Sequence, residues 1–203
     1  ISAVLYLFLS SYAANKENHE MTDFDKNGYK EIYLAGGCFW GVEKYFASIK
    51  GVVFTNAGYA NGRTDSPSYE DVLYGNTMHA ETVRVIYDPD IISLPFILDM
   101  YYKIIDPVSV NKQGNDRGTQ YRTGIYYTDA NDRHIIEKSL KTLSESYDKP
   151  LAVECSFLIN YYPAEEYHQK YLDKNPFGYC HIPKSKFEEA AKAEDLKLKN
   201  RAF

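Results

Sequence analysis

The chain has few cysteines and no basic block, and each shortage excludes a class of protein. Its three cysteines, Cys38, Cys155 and Cys180, are spread over 203 residues. They are too few for a disulfide-stapled scaffold and too scattered for a four-ligand zinc site, so we predict no metal. The net charge is −5, and without a basic cluster we expect no nucleic-acid partner. With 25% charged and 44% hydrophobic residues, the composition is typical of a globular domain.

The first 27 residues divide into an apolar leader-like segment and a polar linker. Residues 1–14 are mostly apolar, and residues 11–14 resemble a small-residue cleavage site. The segment is too short to span a bilayer, which takes about 20 apolar residues, and it is similar to the apolar part of a secretory signal. This pattern favours export to the cell envelope. The alternatives are a cytoplasmic protein or a helix of a preceding domain.

Residues 28–183 are predicted to form one folded domain of the α+β class. Runs rich in β-branched and aromatic residues predict strands over residues 31–35, 52–59, 81–87, 124–128 and 152–158. Helices are predicted over residues 42–49 and 164–172, and after the capping residues Ser93 and Asp129. The loose alternation favours a layered fold with a mixed sheet over a regular doubly wound one. Residues 184–203 predict a charged, solvated helical tail or linker.

The most informative stretch is Gly-Gly-Cys-Phe-Trp-Gly at residues 36–41. A predicted strand precedes it and a predicted helix follows, which places the Cys38 thiol at a helix N-terminus. Unpaired backbone N–H groups and the helix dipole favour an anion there. We therefore predict a lowered pKa and a nucleophilic thiolate. The neighbouring rings of Phe39 and Trp40 predict a site for a small apolar group.

Three further motifs leave more than one interpretation open. His79 and Glu81 have the spacing of half a zinc deaminase signature, whose other half is absent. Glu81 is either a general acid at a strand entry or a member of a surface ion pair, and the spacing alone slightly favours the ion pair. Glu165 and His168 lie three residues apart on a predicted helix, where a solvent-facing pair is the simpler interpretation. Cys155 lies in a strand-like run and is expected in the core.

Two coil segments are predicted to be functional. Residues 106–122 form a long polar loop, and long irregular loops in compact domains are usually functional or disordered. Cys180 lies in a turn-rich segment, residues 175–181. A thiol on a flexible segment can approach a distant sulfur and leave it again, as a resolving cysteine must.

Taken together, these motifs resemble those of the peptide methionine sulfoxide reductase A family. Residues 36–43 are similar to its active-site signature, and further matching pieces follow in the family's order. These pieces are residues 58–59 with 61–62, 79–81, 114–118 with 120–122, and 164–165 with 167–169 and 171–172. The match covers about residues 29–182, and we align no counterpart for the tail. The resemblance implies a two-layer α/β sandwich with a mixed central sheet, a ferredoxin-like core and long coil segments.

The resemblance also implies an activity, the reduction of the S epimer of methionine sulfoxide, free and in proteins, and hence repair of oxidised proteins. Cys38 would be the nucleophile that attacks the sulfoxide sulfur. Glu81 would be the protonated acid that polarises and then protonates the oxygen. Tyr59 and Tyr121 would bind that oxygen through their hydroxyls.

The remaining roles that the resemblance implies concern the substrate pocket and the regeneration of the thiol. Phe39 and Trp40 would form the pocket for the S-methyl group, and Asp116 would shape the site and contact the substrate. Cys180 would resolve the sulfenic acid of Cys38 through one internal disulfide. No bound cofactor is implied. Thioredoxin would be the reductant, replaced by dithiothreitol in vitro. We expect a monomer, and a type B reductase domain could be fused beyond the tail.

Two other functions compete with this one. A thiol peroxidase would also use a low-pKa cysteine, but its pocket needs no tryptophan beside the sulfur. A non-catalytic module could capture methyl groups with Phe39 and Trp40. The combination of Cys38, Glu81 and Cys180 disfavours such a module.

Overall fold

The computed structural model describes residues 27–200. The leader-like segment, most of the linker and the last three residues lie outside the described residues. Within the described part, no helix combines the length and the apolar character that a membrane crossing requires.

Most strands of the described residues belong to one sheet. They are β1 (Lys30–Gly36), β2 (Val52–Ala60), β3 (Ala80–Tyr87), β4 (Lys112–Gln113), β5 (Asp116–Arg117), β6 (Thr123–Tyr127), β7 (Glu154–Phe157) and β8 (Tyr161–Pro163). The helices are α1 (Phe39–Ala47), α2 (Tyr69–Tyr74), α3 (Leu94–Tyr102), α4 (Ala130–Ser144), α5 (Tyr171–Lys174), α6 (Lys184–Lys192) and α7 (Leu196–Lys199), with a 3-10 helix over Thr119–Tyr121.

The main sheet has the order β7-β6-β1-β3-β2-β8, and β4 and β5 form a separate hairpin. Strands β6 and β7 run parallel, whereas the other neighbours in the main sheet are antiparallel. The four inner strands are connected through α1 and α3 in the β-α-β-β-α-β order of a ferredoxin-like unit. The predicted α+β sandwich with a mixed sheet is confirmed.

The main core lies between this sheet and helices α1 and α3. Helix α1 buries Val42, Tyr45 and Phe46 against the sheet. Helix α3 begins after Ser93, whose hydroxyl accepts a hydrogen bond from Phe96 N, with proline in the first turn. These apolar faces remove large side chains from water, which is the main favourable contribution to folding.

The predicted helix over residues 164–172 is wrong, because side chains there bind a neighbouring strand. The segment forms turns, and helix begins only at Tyr171. Gln169 Oε1 accepts from Ala57 N at 2.9 Å, and Gln169 Nε2 donates to Ala57 O at 2.8 Å. Lys170 adopts a left-handed conformation with φ of 51°. Such side-chain bonds to β2 outweigh local helix propensity.

The tail is helical, but it packs on the domain. Ala190 of α6 is fully buried, and the Asp195 carboxylate accepts from Ser93 N at 3.0 Å. The described part of the tail thus packs one face on the domain, while most of its other residues are exposed, in keeping with the charged composition. The domain boundary at residue 183 stays a prediction.

The ends of several strands lie together at one edge of the main sheet, where the candidate site residues are found. Strand β1 ends at Gly36 opposite Thr123, where β6 begins. The antiparallel register of β1 against β3 brings Ala80 and Glu81 to the same edge. Strand β8 pairs with the end of β2 and leads into residues 164–170. Five distant segments therefore meet where Cys38 follows β1.

Candidate active site

Cys38 lies at the turn between β1 and α1, as the sequence predicted, and only 6% of it is exposed. The turn depends on Gly37, whose φ is +85°. A Cβ on Gly37 would lie 2.6 Å from Gln113 Cβ. Only glycine meets both requirements, because a left-handed backbone strains other residues and the polar loop passes too close.

The predicted lowering of the Cys38 pKa is wrong. Burial raises the pKa of the Cys38 thiol well above its ordinary value, and the nearby Glu81 carboxylate raises it further. The backbone N–H of Trp40 acts in the opposite direction, as expected for a helix N-terminus, but it is the smaller effect. The sequence showed the helix end and not the desolvation, which disfavours a thiolate.

Glu81 is buried with 1% exposure, so the ion-pair interpretation is wrong. Its Oε2 accepts a hydrogen bond from Phe39 N at 3.0 Å, in the first turn of α1. Burial raises the pKa of Glu81 to about 8, while the Phe39 N–H partly opposes this and Asp116 adds to it. A carboxyl group with such a pKa is protonated at neutral pH and can serve as a general acid.

Cys38 and Glu81 titrate as a pair. A charge on Glu81 raises the pKa of Cys38, so the site disfavours two negative charges at once. When Glu81 holds its proton, this contribution disappears and the thiolate becomes easier to form. At neutral pH the free site therefore keeps both groups protonated, and a charge on Glu81 opposes the ionisation of Cys38.

Tyr121 and Tyr69 bring two phenol groups to this pair. Tyr121 closes the 3-10 helix before β6, and burial together with Glu81 and Tyr69 raises its pKa. Tyr69 begins α2, and burial followed by Glu81 and Cys38 raises its pKa. Both hydroxyls thus stay protonated as donors. Tyr69 could not be inferred from the sequence, because no local pattern marks a residue that only tertiary packing brings to Cys38 and Glu81.

Tyr59 does not fit its predicted role as an oxygen donor. Its side chain is fully buried, and its hydroxyl donates to Glu165 Oε2 at 2.8 Å. A tyrosine has one hydroxyl proton, so none is left for a substrate. In the structure Tyr59 lies behind the site, with its ring 5.9 Å from that of Phe39.

The side chains of Phe39 and Trp40 form an aromatic wall beside Cys38. Phe39 is buried, and Trp40 is half-buried and stacks on Tyr171 with ring centroids 3.7 Å apart. Trp40 Nε1 donates to His168 Nδ1 at 2.9 Å. His168 is 1% exposed, so the prediction of a solvent-facing pair is wrong for this residue. The Glu165 carboxylate accepts a hydrogen bond from the Tyr59 hydroxyl and another, at 2.8 Å, from Tyr69 N.

The structure brings Cys180 to the same site. Both thiols are free, and Cys180 Sγ lies against Gly41 in the first turn of α1, where an added Cβ would stand 2.7 Å from the sulfur. Ile182 N donates to this sulfur at 3.4 Å. Cys155 lies on β7 and packs partly buried against the core, as predicted. The glycine of the motif therefore leaves room for the second thiol.

Asp116 belongs to the polar loop of residues 106–122 and lies near Cys38 and Glu81. Its Oδ2 is 3.8 Å from His181 Nδ1, and it contributes to raising the pKa values of Cys38 and Glu81. Burial and the Asp116 carboxylate raise the pKa of Tyr179 to about 12. The predicted functional loop thus supplies Asp116 and Tyr121.

Two other features of the described residues lie outside this chemistry. A cavity of about 690 Å³ lies between α3 and α4, with Tyr102, Ile135 and Ser139 among its lining residues, and none of that lining belongs to the site. Within residues 27–200, no group of three or more His, Cys, Asp or Glu side chains is arranged to hold a metal ion.

The sequence is similar to one family model and to several known proteins of the same name. A family model described as peptide methionine sulfoxide reductase matches residues 30–200, including the tail for which we aligned no counterpart. Peptide methionine sulfoxide reductase MsrA of Lachnoclostridium phytofermentans is 58% identical over 164 residues, 81% of this chain and 99% of that protein. The protein of the same name from Clostridium perfringens strain 13 is 59% identical over 153 residues, 75% of this chain and 98% of its own.

Solved structures agree with the sequence comparison. Reduced Mxr1 from Saccharomyces cerevisiae has a TM-score of 0.73 and 39% identity, over 76% of this chain and 91% of that one. Methionine sulfoxide reductase A of Corynebacterium diphtheriae has a TM-score of 0.69 and 36% identity, over 77% and 84%. Mxr1 in complex with Trx2 has a TM-score of 0.51 and 27% identity, over 70% and 84%.

Proposed function

The chain belongs to the peptide methionine sulfoxide reductase family and reduces methionine sulfoxide, and we propose that it acts on the S epimer through Cys38, Glu81 and Cys180. The observation that carries this assignment is the pairing of a buried thiol with a buried carboxyl group whose pKa is raised to about 8. A sulfoxide needs these two groups, a nucleophile for its sulfur and an acid for its oxygen.

In the first step, Cys38 attacks the substrate sulfur while Glu81 gives its proton to the oxygen. Tyr121 and Tyr69 donate to the same oxygen. The resulting hydroxyl then moves from the substrate sulfur to the Cys38 sulfur as the bond between the two sulfurs breaks, methionine leaves, and the proton of the Cys38 thiol replaces the one that Glu81 gave up. The substrate sulfur is reduced by two electrons, and the Cys38 sulfur is oxidised by two electrons to a sulfenic acid. Phe39 and Trp40 hold the methyl group, which has no polar atom to bind.

In the second step, Cys180 attacks the sulfenic sulfur of Cys38, and the hydroxyl leaves as water. This forms the Cys38–Cys180 disulfide. A pocket of about 380 Å³ opens beside Cys180, lined also by Lys44 and Phe187, so an external dithiol can reach that sulfur. Thioredoxin is the proposed reductant, supported by the similarity to Mxr1 in complex with Trx2. No bound cofactor is required.

The direct test is an assay with the separate epimers of dabsylated methionine sulfoxide and dithiothreitol. We expect turnover of the S epimer and none of the R epimer. Thioredoxin with its reductase should replace dithiothreitol. Absence of turnover with both epimers would reject the proposed activity, and equal turnover of both would reject the stereochemical assignment.

Glu81 provides a prediction about pH. We expect the wild-type rate to decline as the pH rises through about 8, because Glu81 then loses the proton that the substrate oxygen needs. Glu81→Gln should retain part of the rate, since an amide can still donate a hydrogen bond, and Glu81→Ala should lose roughly 10²–10⁴-fold. Single-turnover rates from pH 6 to 10 would measure both effects.

The alkaline decline should be absent in Glu81→Gln, which has no acidic proton to lose, while its rate rises as Cys38 ionises. An unchanged alkaline decline in that variant, or equal rates for all three proteins, would contradict the acid role.

Three further properties of the enzyme are proposed: its export, a fused domain and its oligomeric state. Export to the cell envelope is proposed from the apolar character of residues 1–14 alone. A fused type B reductase domain and a monomeric state are likewise proposals. Denaturing mass measurement of the natural protein would decide the first two, and light scattering of the purified chain would decide the third.

A further inference from the structure

The single tryptophan of the chain is fixed by a bond that the proposed reaction does not itself use. Trp40 Nε1 donates to His168 Nδ1 at 2.9 Å, and the two residues are 128 positions apart. His168 is almost fully buried. A buried indole N–H needs an acceptor, because an unpaired one loses its hydration without compensation.

The bond defines the protonation state of His168. Nδ1 can accept only when it carries no proton, so the ring is neutral with its proton on Nε2. Burial lowers the pKa of His168, which favours this neutral state, although Glu165 acts in the opposite direction. Glu165 Oε2 is 3.9 Å from Nε2. The ring is thus held as an acceptor toward Trp40.

The packing around His168 leaves it little freedom. Tyr69 meets the imidazole edge-on with centroids 4.4 Å apart, Tyr167 lies at 4.1 Å and Phe39 at 5.0 Å. On the other side, Tyr171 stacks on the indole at an angle of 14°. A stack resists tilting of the indole but opposes its lateral displacement through changes in χ1 and χ2 less strongly. The directional bond to His168 opposes that displacement.

We propose that His168 is a positioning residue that sets substrate affinity by fixing the rotamer of Trp40, and hence the position of its indole beside Cys38. This role rests on the proposed function of Trp40 as the wall for the methyl group. His168 itself touches neither the reacting sulfur nor the oxygen in this scheme. It acts through Trp40.

The test compares two variants. His168→Phe keeps a ring of similar size but removes the acceptor. His168→Asn places an amide oxygen near the position of Nδ1 and restores an acceptor. Because the methyl contact already exists in the bound ground state, we expect His168→Phe to raise KM about ten-fold or more with kcat largely kept. His168→Asn should recover most of that loss. A merely destabilised enzyme would instead lose apparent kcat at unchanged KM.

Fluorescence gives a readout independent of activity, since Trp40 is the only tryptophan. The emission maximum should shift in His168→Phe and return toward the wild-type value in His168→Asn. The matched control is His79→Asn, which alters another buried histidine whose ring contacts Tyr162 instead. Its emission should equal that of the wild type.

If His168→Phe does not fold, ¹⁵N spectra of the wild type decide the matter. They should show His168 neutral, protonated on Nε2, with a coupling across the bond to Trp40 Nε1. A proton on Nδ1, an unchanged KM or emission in His168→Phe, or no recovery in His168→Asn would overturn the proposal. Failure of the wild type to reduce either epimer would reject the proposed function instead, and the spectra would still report on the bond.

Discussion

The substitution Cys38→Ser is expected to abolish sulfoxide reduction, with a loss of roughly 10⁴-fold or more in the single-turnover rate. A serine hydroxyl does not ionise near neutral pH, and its oxygen cannot be oxidised to accept the oxygen of the sulfoxide. The loss is large because the proton of Glu81 and the hydroxyls of Tyr69 and Tyr121 assist only a reaction in which a nucleophile attacks the substrate sulfur. The measurement is methionine released per enzyme from the S epimer, with no added reductant.

The chain offers its own control for this experiment. Cys155 is a partly buried thiol on β7 that packs against the core and not against the site. Cys155→Ser should release the same amount of methionine as the wild type. Circular dichroism spectra of both variants would show that the fold is kept. Turnover by Cys38→Ser comparable to the wild type would remove Cys38 from the mechanism.

The substitution Cys180→Ser is expected to separate the two steps. The first turnover should remain, with about one methionine released per enzyme, because Cys38 and Glu81 are untouched. Turnover supported by thioredoxin should be lost, because the sulfenic acid of Cys38 has no second thiol with which to form the internal disulfide. Trapping with dimedone should label Cys38 in this variant after the first turnover.

Mass spectrometry provides the complementary measurement. The wild type treated with the S epimer should show a Cys38–Cys180 disulfide, and Cys155→Ser should show the same one. Full thioredoxin-supported cycling in Cys180→Ser, or a disulfide that involves Cys155, would contradict the resolving assignment. The close approach of Cys180 Sγ to Gly41 is the structural reason to expect the Cys38–Cys180 pair.

Much of the fold followed from local patterns. The runs that became β1, β2, β3 and β6 are rich in β-branched and aromatic residues, and their period and turns are encoded locally. Ser93 and Asp129 cap helices as expected. Residues 164–170 failed as a helix because Gln169 bonds to β2, and no local pattern contains a partner that lies 112 residues away.

The sequence by itself determined which residues carry reactive groups: a thiol after two glycines at a helix start, a carboxyl at a strand entry and a second thiol in a late coil. Their local backbone settings depend on neighbours in the chain, so they could be inferred without the fold. Only the tertiary structure decided their chemical state. It buried Cys38 and Glu81 together, which raised both pKa values, and it turned Tyr59 away and brought Tyr69 in. Desolvation and charge coupling depend on what surrounds a group in space, and the sheet edge assembles those surroundings from distant segments.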